Sequence, residues 1–169
     1  EVLPKCVCTP GTECQDTILY SAIGSVTATV MVRIALGTLL ERWGPVNTQC
    51  ALLVFGSFWV LCAAGISSGW SFILIRTFMG CVGATFVTNQ FWCSLMFAPK
   101  VVGTANATAG GWGNLGGGVA QVFIVWCLFK PFQALGLSPS ASWRLSMCVP
   151  AIMLLVCAGV IKAKCQDTP

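Results

Sequence analysis

The chain has 169 residues, of which 56% are hydrophobic and only 8% charged; a soluble domain carries about 25% charged residues. That balance excludes an ordinary soluble domain and points to an all-α polytopic membrane protein. The net charge of +4 is spread without a basic patch, which argues against a nucleic-acid partner, and the absence of histidine removes the usual acid–base and metal-binding side chain.

In chain order, residues 1–16 read as a polar loop outside the first span. Apolar spans follow at 17–40, 46–66, 70–97, 101–129 and 143–161, each long enough to cross a bilayer as a helix. A tight charged turn, Glu41 to Pro45, separates the first two, and Ser67-Ser68-Gly69 closes the next. Ala98-Pro99-Lys100 leads into the fourth span, and residues 130–142 form the longest internal loop. A kink is expected at Pro150, and the polar tail 162–169 begins a central loop. The chain starts at Glu1 with no basic-then-apolar leader, so a piece of a longer chain is expected. Most of the eleven cysteines sit in apolar runs, where cysteine acts as a small hydrophobe. Cys6, Cys8 and Cys14 cluster in a polar segment; one disulfide fits them, a zinc site does not.

Arg33 and Arg76 lie inside spans and no acidic residue does. A charge deep in a bilayer costs about 2.5 kcal/mol on the mildest scale and above about 10 on the harshest. Arg33 heads a row at a spacing of four, Ser21, Ser25, Thr29, Arg33 and Gly37, that should face a cavity or a neighbouring helix rather than lipid. The plain alternative is snorkelling to the headgroups. Arg76 shares a row with Gly80, Ala84 and Thr88 that reads first as helix packing. Fixed positive charge and amide donors with no carboxylate suit an anion. No nucleophile–base pair, paired carboxylate or ligand set is present, so neither catalysis nor a cofactor is expected.

The fourth span holds six glycines within nine residues, at Gly110, Gly111, Gly113, Gly116, Gly117 and Gly118. One row, Ala105, Ala109, Gly113 and Gly117, is a small-residue ridge for close helix approach. A second row, Asn106, Gly110, Asn114 and Gly118, carries two carboxamides that need partners in hydrocarbon. Residues 111–116 also spell G-x-G-x-x-G, the dinucleotide fingerprint. It is rejected, because its flanks are apolar spans and no Asp or Glu lies between Glu41 and Asp167.

The run Ala109-Gly110-Gly111-Trp112-Gly113-Asn114-Leu115-Gly116 resembles the signature of the nitrate/nitrite porter family of the major facilitator superfamily. The stretch Gly37 to Pro45, with Glu41, Arg42 and Gly44, resembles the superfamily's cytoplasmic loop between helices two and three. Glu41 stands where Asp is usual, and Val46 and Asn47 replace basic residues. Arg76 to Ala84 resembles a second superfamily motif on helix four, with Met79 in place of the usual glutamine. The resemblance implies a fragment covering helices two to six of a twelve-helix transporter. It would carry nitrate, and nitrite in some members, by alternating access, with protons as the coupling ion in eukaryotic members. It further implies Arg33 as a substrate-binding arginine; beside it the spacing reads Gly111, Gly113 and Asn114 as lining the site, and Ala105, Ala109, Gly117 and Gly80 as packing helices. Localisation would be the plasma membrane, with a single-span accessory protein as partner in some eukaryotic members. Rival readings are a porter of another small anion and a membrane scaffold whose glycines only pack.

Overall fold

The computed structural model describes residues 12–167, and among them every regular element is helical. The order is α1 (Thr12–Ala63), α2 (Gly69–Val82), α3 (Thr85–Met96), α4 (Val102–Val122), a π-helix (Phe123–Phe129), α5 (Lys130–Ala134) and α6 (Pro139–Lys164). Four continuous stretches are long and apolar enough to cross a membrane, one fewer than the sequence suggested. The difference lies in α1. Its apolar stretch runs 49 residues, about 73 Å as one straight helix, against a hydrocarbon core of about 30 Å. Gly44 breaks it: its φ of 75° and ψ of 161° are not helical, and Pro45 follows. α1 is therefore two arms, residues 12–43 and 45–63.

Contacts fix the directions. Gly24 meets Thr77, Ser25 meets Gly80, and Arg33 reaches Gly83, so the first arm runs the same way as α2 and α3. Gly56 packs on Val82, Trp59 stacks on Phe78 at 4.3 Å between centroids, and Ala63 clusters with Ile75, so the second arm runs the opposite way. α4 opposes α3, because Gln90 Nε2 donates to the Asn106 carbonyl at 3.0 Å while Gly110 lies against Phe86. α6 opposes the second arm: Cys50 Sγ donates to the Ala158 carbonyl and Ser57 Oγ to that of Ala151. The chain thus crosses back and forth, gathering the Gly44 corner, the α3–α4 turn and the end of α6 at one end. The α1–α2 and α5–α6 turns lie at the other.

Several boundaries move from their expected places. Residues 12–16 are helical rather than loop, and Glu41, Arg42 and Trp43 continue the helix, which confines the expected charged turn to Gly44. The second crossing stops at Ala63, and Ser68 then caps α2 through a reciprocal pair of bonds with Ser71. The third breaks at Gly83 and Ala84. The fourth extends through Lys130 and Pro131 to Ala134, where a loop was expected. Pro131 has no N–H, and its ring would strike the carbonyl four residues back in a regular α-helix; the wider π turn before it relieves that collision. α6 begins at Pro139, capped by Ser138, and runs to Lys164, so both lysines of the expected tail are helical. The Cys6 and Cys8 positions and the Cys14 side chain lie outside the described residues.

Candidate functional site

Arg33 sits on the first arm of α1 opposite the break between α2 and α3. There, three backbone bonds span three residues rather than four: Gly83 to Gly80, Ala84 to Cys81 and Val87 to Ala84. The local tightening leaves the Gly83 carbonyl to a side chain, and Arg33 Nη2 donates to it at 3.3 Å. The guanidinium carbon lies 5.8 Å from the Phe86 ring centroid, within cation–π range. A guanidinium has five N–H donors in a planar fork. With a single hydrogen bond among the described residues and an exposed side chain, Arg33 keeps donors for a ligand.

The polar row below Arg33 turns out to face α2. Ser21 is fully buried and donates to Ile18. Thr29 Oγ1 lies 2.8 Å from the Ser25 carbonyl and 2.6 Å from that of Gly80. Gly80 permits this approach, since a Cβ there would lie 2.8 Å from Ser25 Cα and 2.7 Å from its hydroxyl. Gly37 has open space around it. Arg76 is exposed on α2, over the Phe72 ring at 5.7 Å.

The glycine-rich helix meets the site at one point. Gly110 is buried, with the Phe86 ring 3.5 Å from where its Cβ would stand and Gln90 Nε2 at 3.4 Å. Phe86 therefore contacts both the signature helix and Arg33. Asn114 lies one turn beyond Gly110, about 5.4 Å along the helix on the same row, with its side chain exposed. At Gly111, Gly113 and Gly117 a side chain would meet no neighbour within 4 Å among the described residues, and Ala105 and Ala109 are half-buried. The structure so brings Arg33 and Gly110 to a shared aromatic ring, and leaves Asn114, Gly111, Gly113 and Gly117 unpacked. Sequence reasoning missed Phe86 and Gly83. Nothing local distinguishes Phe86 from the other nine phenylalanines; its role appears only through the tertiary contacts. No group of three or more metal-ligating side chains occurs among the described residues.

The chain is 36% identical over 149 residues, 88% of its length, to the high-affinity nitrate transporter 2.3 of Oryza sativa subsp. japonica. It is 38% identical over 149 residues to the high affinity nitrate transporter 2.5 of Arabidopsis thaliana, and 30% identical over 155 to the nitrate/nitrite transporter NrtP of Nostoc punctiforme. The chain is homologous to part of the nitrate/nitrite porters. It spans about three tenths of the length of these curated relatives, 29%, 30% and 30% respectively. No family model matches the chain, and no solved structure matches it. Within the described helices, Arg33 is the charge set furthest from the ends of its span.

Proposed function

We propose that these residues form part of a secondary transporter that imports nitrate, and nitrite as a second substrate, across the plasma membrane. The observation that carries the reading is Arg33. It is a permanent cation on a membrane helix, steadied by one carbonyl and one aromatic face, with most of its donor fork free. Nitrate is planar, monovalent and weakly hydrated, so its oxygens match a guanidinium fork at low desolvation cost. Asn114 offers an amide donor from the neighbouring helix. Gly111 and Gly113 keep that face low enough for the anion to approach. The relatives' names as nitrate and nitrite transporters support the substrate class.

Transport proceeds by alternating access, with this half rocking against a second one that supplies an opposing cation. Protons couple the uptake, through groups outside these spans, which hold no carboxylate between Glu41 and Asp167. The Gly44 end, with Gly37, Glu41 and Arg42, is cytoplasmic, in keeping with Lys100, Lys162 and Lys164 gathering there. A single-span accessory protein and the surrounding lipid are the partners. The test is labelled-nitrate uptake by the full-length protein, normalised to surface protein. Arg33→Lys keeps the charge but loses the planar fork, and one charge-assisted hydrogen bond lost should raise the half-saturating nitrate concentration by about tenfold or more. Arg33→Ala should abolish uptake. Wild-type affinity in Arg33→Lys would sink the bidentate site, and stronger competition by chloride or phosphate than by nitrate would reassign the substrate.

A further inference from the structure

We propose that residues 165–167, just beyond α6, form a strap that fastens the Gly44 end of the bundle, with Asp167 acting as the missing cap of the second arm of α1. A helix ordinarily draws its N-terminal cap from the side chain just before it. Here that residue is Gly44, which has none, and the first helical position is Pro45, which has no N–H. The next donor, Val46 N–H, belongs to a residue only 4% exposed. An unpaired amide there would be costly. Asp167 answers it from 121 positions away: its Oδ1 accepts the Val46 N–H at 2.7 Å. The carboxylate also sits where the positive end of the helix dipole favours a negative charge.

Gly44 serves this arrangement twice. Its positive φ disfavours any residue with a side chain, and a Cβ at that position would lie 2.6 Å from Asp167 Oδ1 and 2.8 Å from its Cγ. Thr48 Oγ1 closes the same turn from within, donating to the Gly44 carbonyl at 2.8 Å. Two further ties run to the strap and its root. The Trp92 indole N–H, on α3, donates to the Gln166 carbonyl at 3.1 Å, and the Lys162 ammonium donates to Asn47 Oδ1. Three residues of chain thereby bind the second arm of α1, α3 and α6 at one end. At this corner Val46 is held by the strap through its backbone, and Asn47 by Lys162 at the end of α6 through its side chain.

The functional consequence rests on the transport reading given above: a half that rocks as a unit needs its helices tied at the ends. Arg33 lies eleven residues before Gly44, about 16 Å along the helix. Loosening the strap should therefore slow turnover without touching anion affinity. The experiment uses the full-length protein, with hydrogen exchange of the peptide containing residues 45–49 and nitrate uptake measured side by side. In Asp167→Ala the exchange should be about fivefold faster, the size of effect a lost cap gives. Maximal uptake should fall while the half-saturating nitrate concentration stays put. Asp167→Asn should exchange more slowly than Asp167→Ala, because its carboxamide oxygen accepts the same N–H, although it loses the charge that the helix dipole favours. Trp92→Phe, which deletes only the indole N–H, should speed exchange by a smaller factor, and serves if the Asp167→Ala protein does not accumulate. Unchanged exchange in Asp167→Ala, or in Trp92→Phe where the former is not recovered, overturns the strap. So does an Asn variant that exchanges as fast as Ala, or a raised half-saturating concentration in Asp167→Ala. Exchange needs no transport, so faster exchange in a protein that does not carry nitrate upholds the strap and overturns only the substrate reading.

Discussion

Two regions of this molecule use small residues, and they use them to opposite ends. Where the two arms of α1 pack on α2, Gly24, Gly56 and Gly80 are occupied: Thr77, Val82 and Ser25 stand where their side chains would be. Along α4, Gly111, Gly113, Gly116, Gly117 and Gly118 meet nothing within 4 Å among the described residues, and Trp112 on the same helix is 70% exposed. The same chemistry closes one interface and leaves another open. A glycine already in contact is a packing residue, whose loss is felt in stability. A glycine row standing open in an apolar helix is felt only when another surface closes on it.

The comparison breaks first at Gly80. Its Cβ would overlap the Ser25 backbone, which cannot swing aside as a side chain can. Gly80→Val should destabilise the full-length protein by about 3 kcal/mol or more, at the upper end for overpacking, and most of it should fail to reach the membrane surface. Thermal unfolding in detergent is the measure, and a wild-type midpoint would show that α1 and α2 do not pack as described. At Gly117 the expected result is different in kind. Gly117→Val should leave the stability within about 0.5 kcal/mol of wild type, as for a substitution free of contacts, yet lower nitrate uptake at equal surface protein. Full uptake there would mean that no helix closes on the α4 ridge during transport.

This contrast also marks what the sequence could and could not convey. Helicity and membrane character were legible, because apolar run length and low charge follow directly from the cost of exposing polar backbone to lipid. The Gly113 and Gly117 row was legible as a ridge, but its periodicity is identical whether the facing helix lies within these residues or elsewhere. Gly44 and Pro45 were legible as a turn; the carboxylate that completes it was not, since Asp167 is 121 positions from Val46 and reads locally as part of a polar tail. Phe86 was invisible for the same reason. Its neighbours in the fold, Arg33 and Gly110, sit 53 residues before it and 24 after it. The three meet beside the helix break at Gly83, a plain glycine in the sequence.

The finest test lies at Thr29, one turn from Arg33 on the polar row. Its hydroxyl has one proton and faces two carbonyls, those of Ser25 and Gly80, so it donates to one at a time. Thr29→Val keeps the branched shape and removes that donor. The Gly80 carbonyl would still accept from the Gly83 N–H at 3.0 Å, so the variant leaves no buried acceptor wholly unpaired. Hydrogen bonds between membrane helices average about 0.6 kcal/mol, and the loss here should be no larger, with nitrate affinity unchanged. A stability loss of that order with intact affinity would confirm that the row below Arg33 is a helix contact. A tenfold loss of nitrate affinity at unchanged stability would instead place Thr29 on the anion's path, and the open, ligand-facing part of the molecule would then extend one turn further down the first arm than Arg33 alone defines.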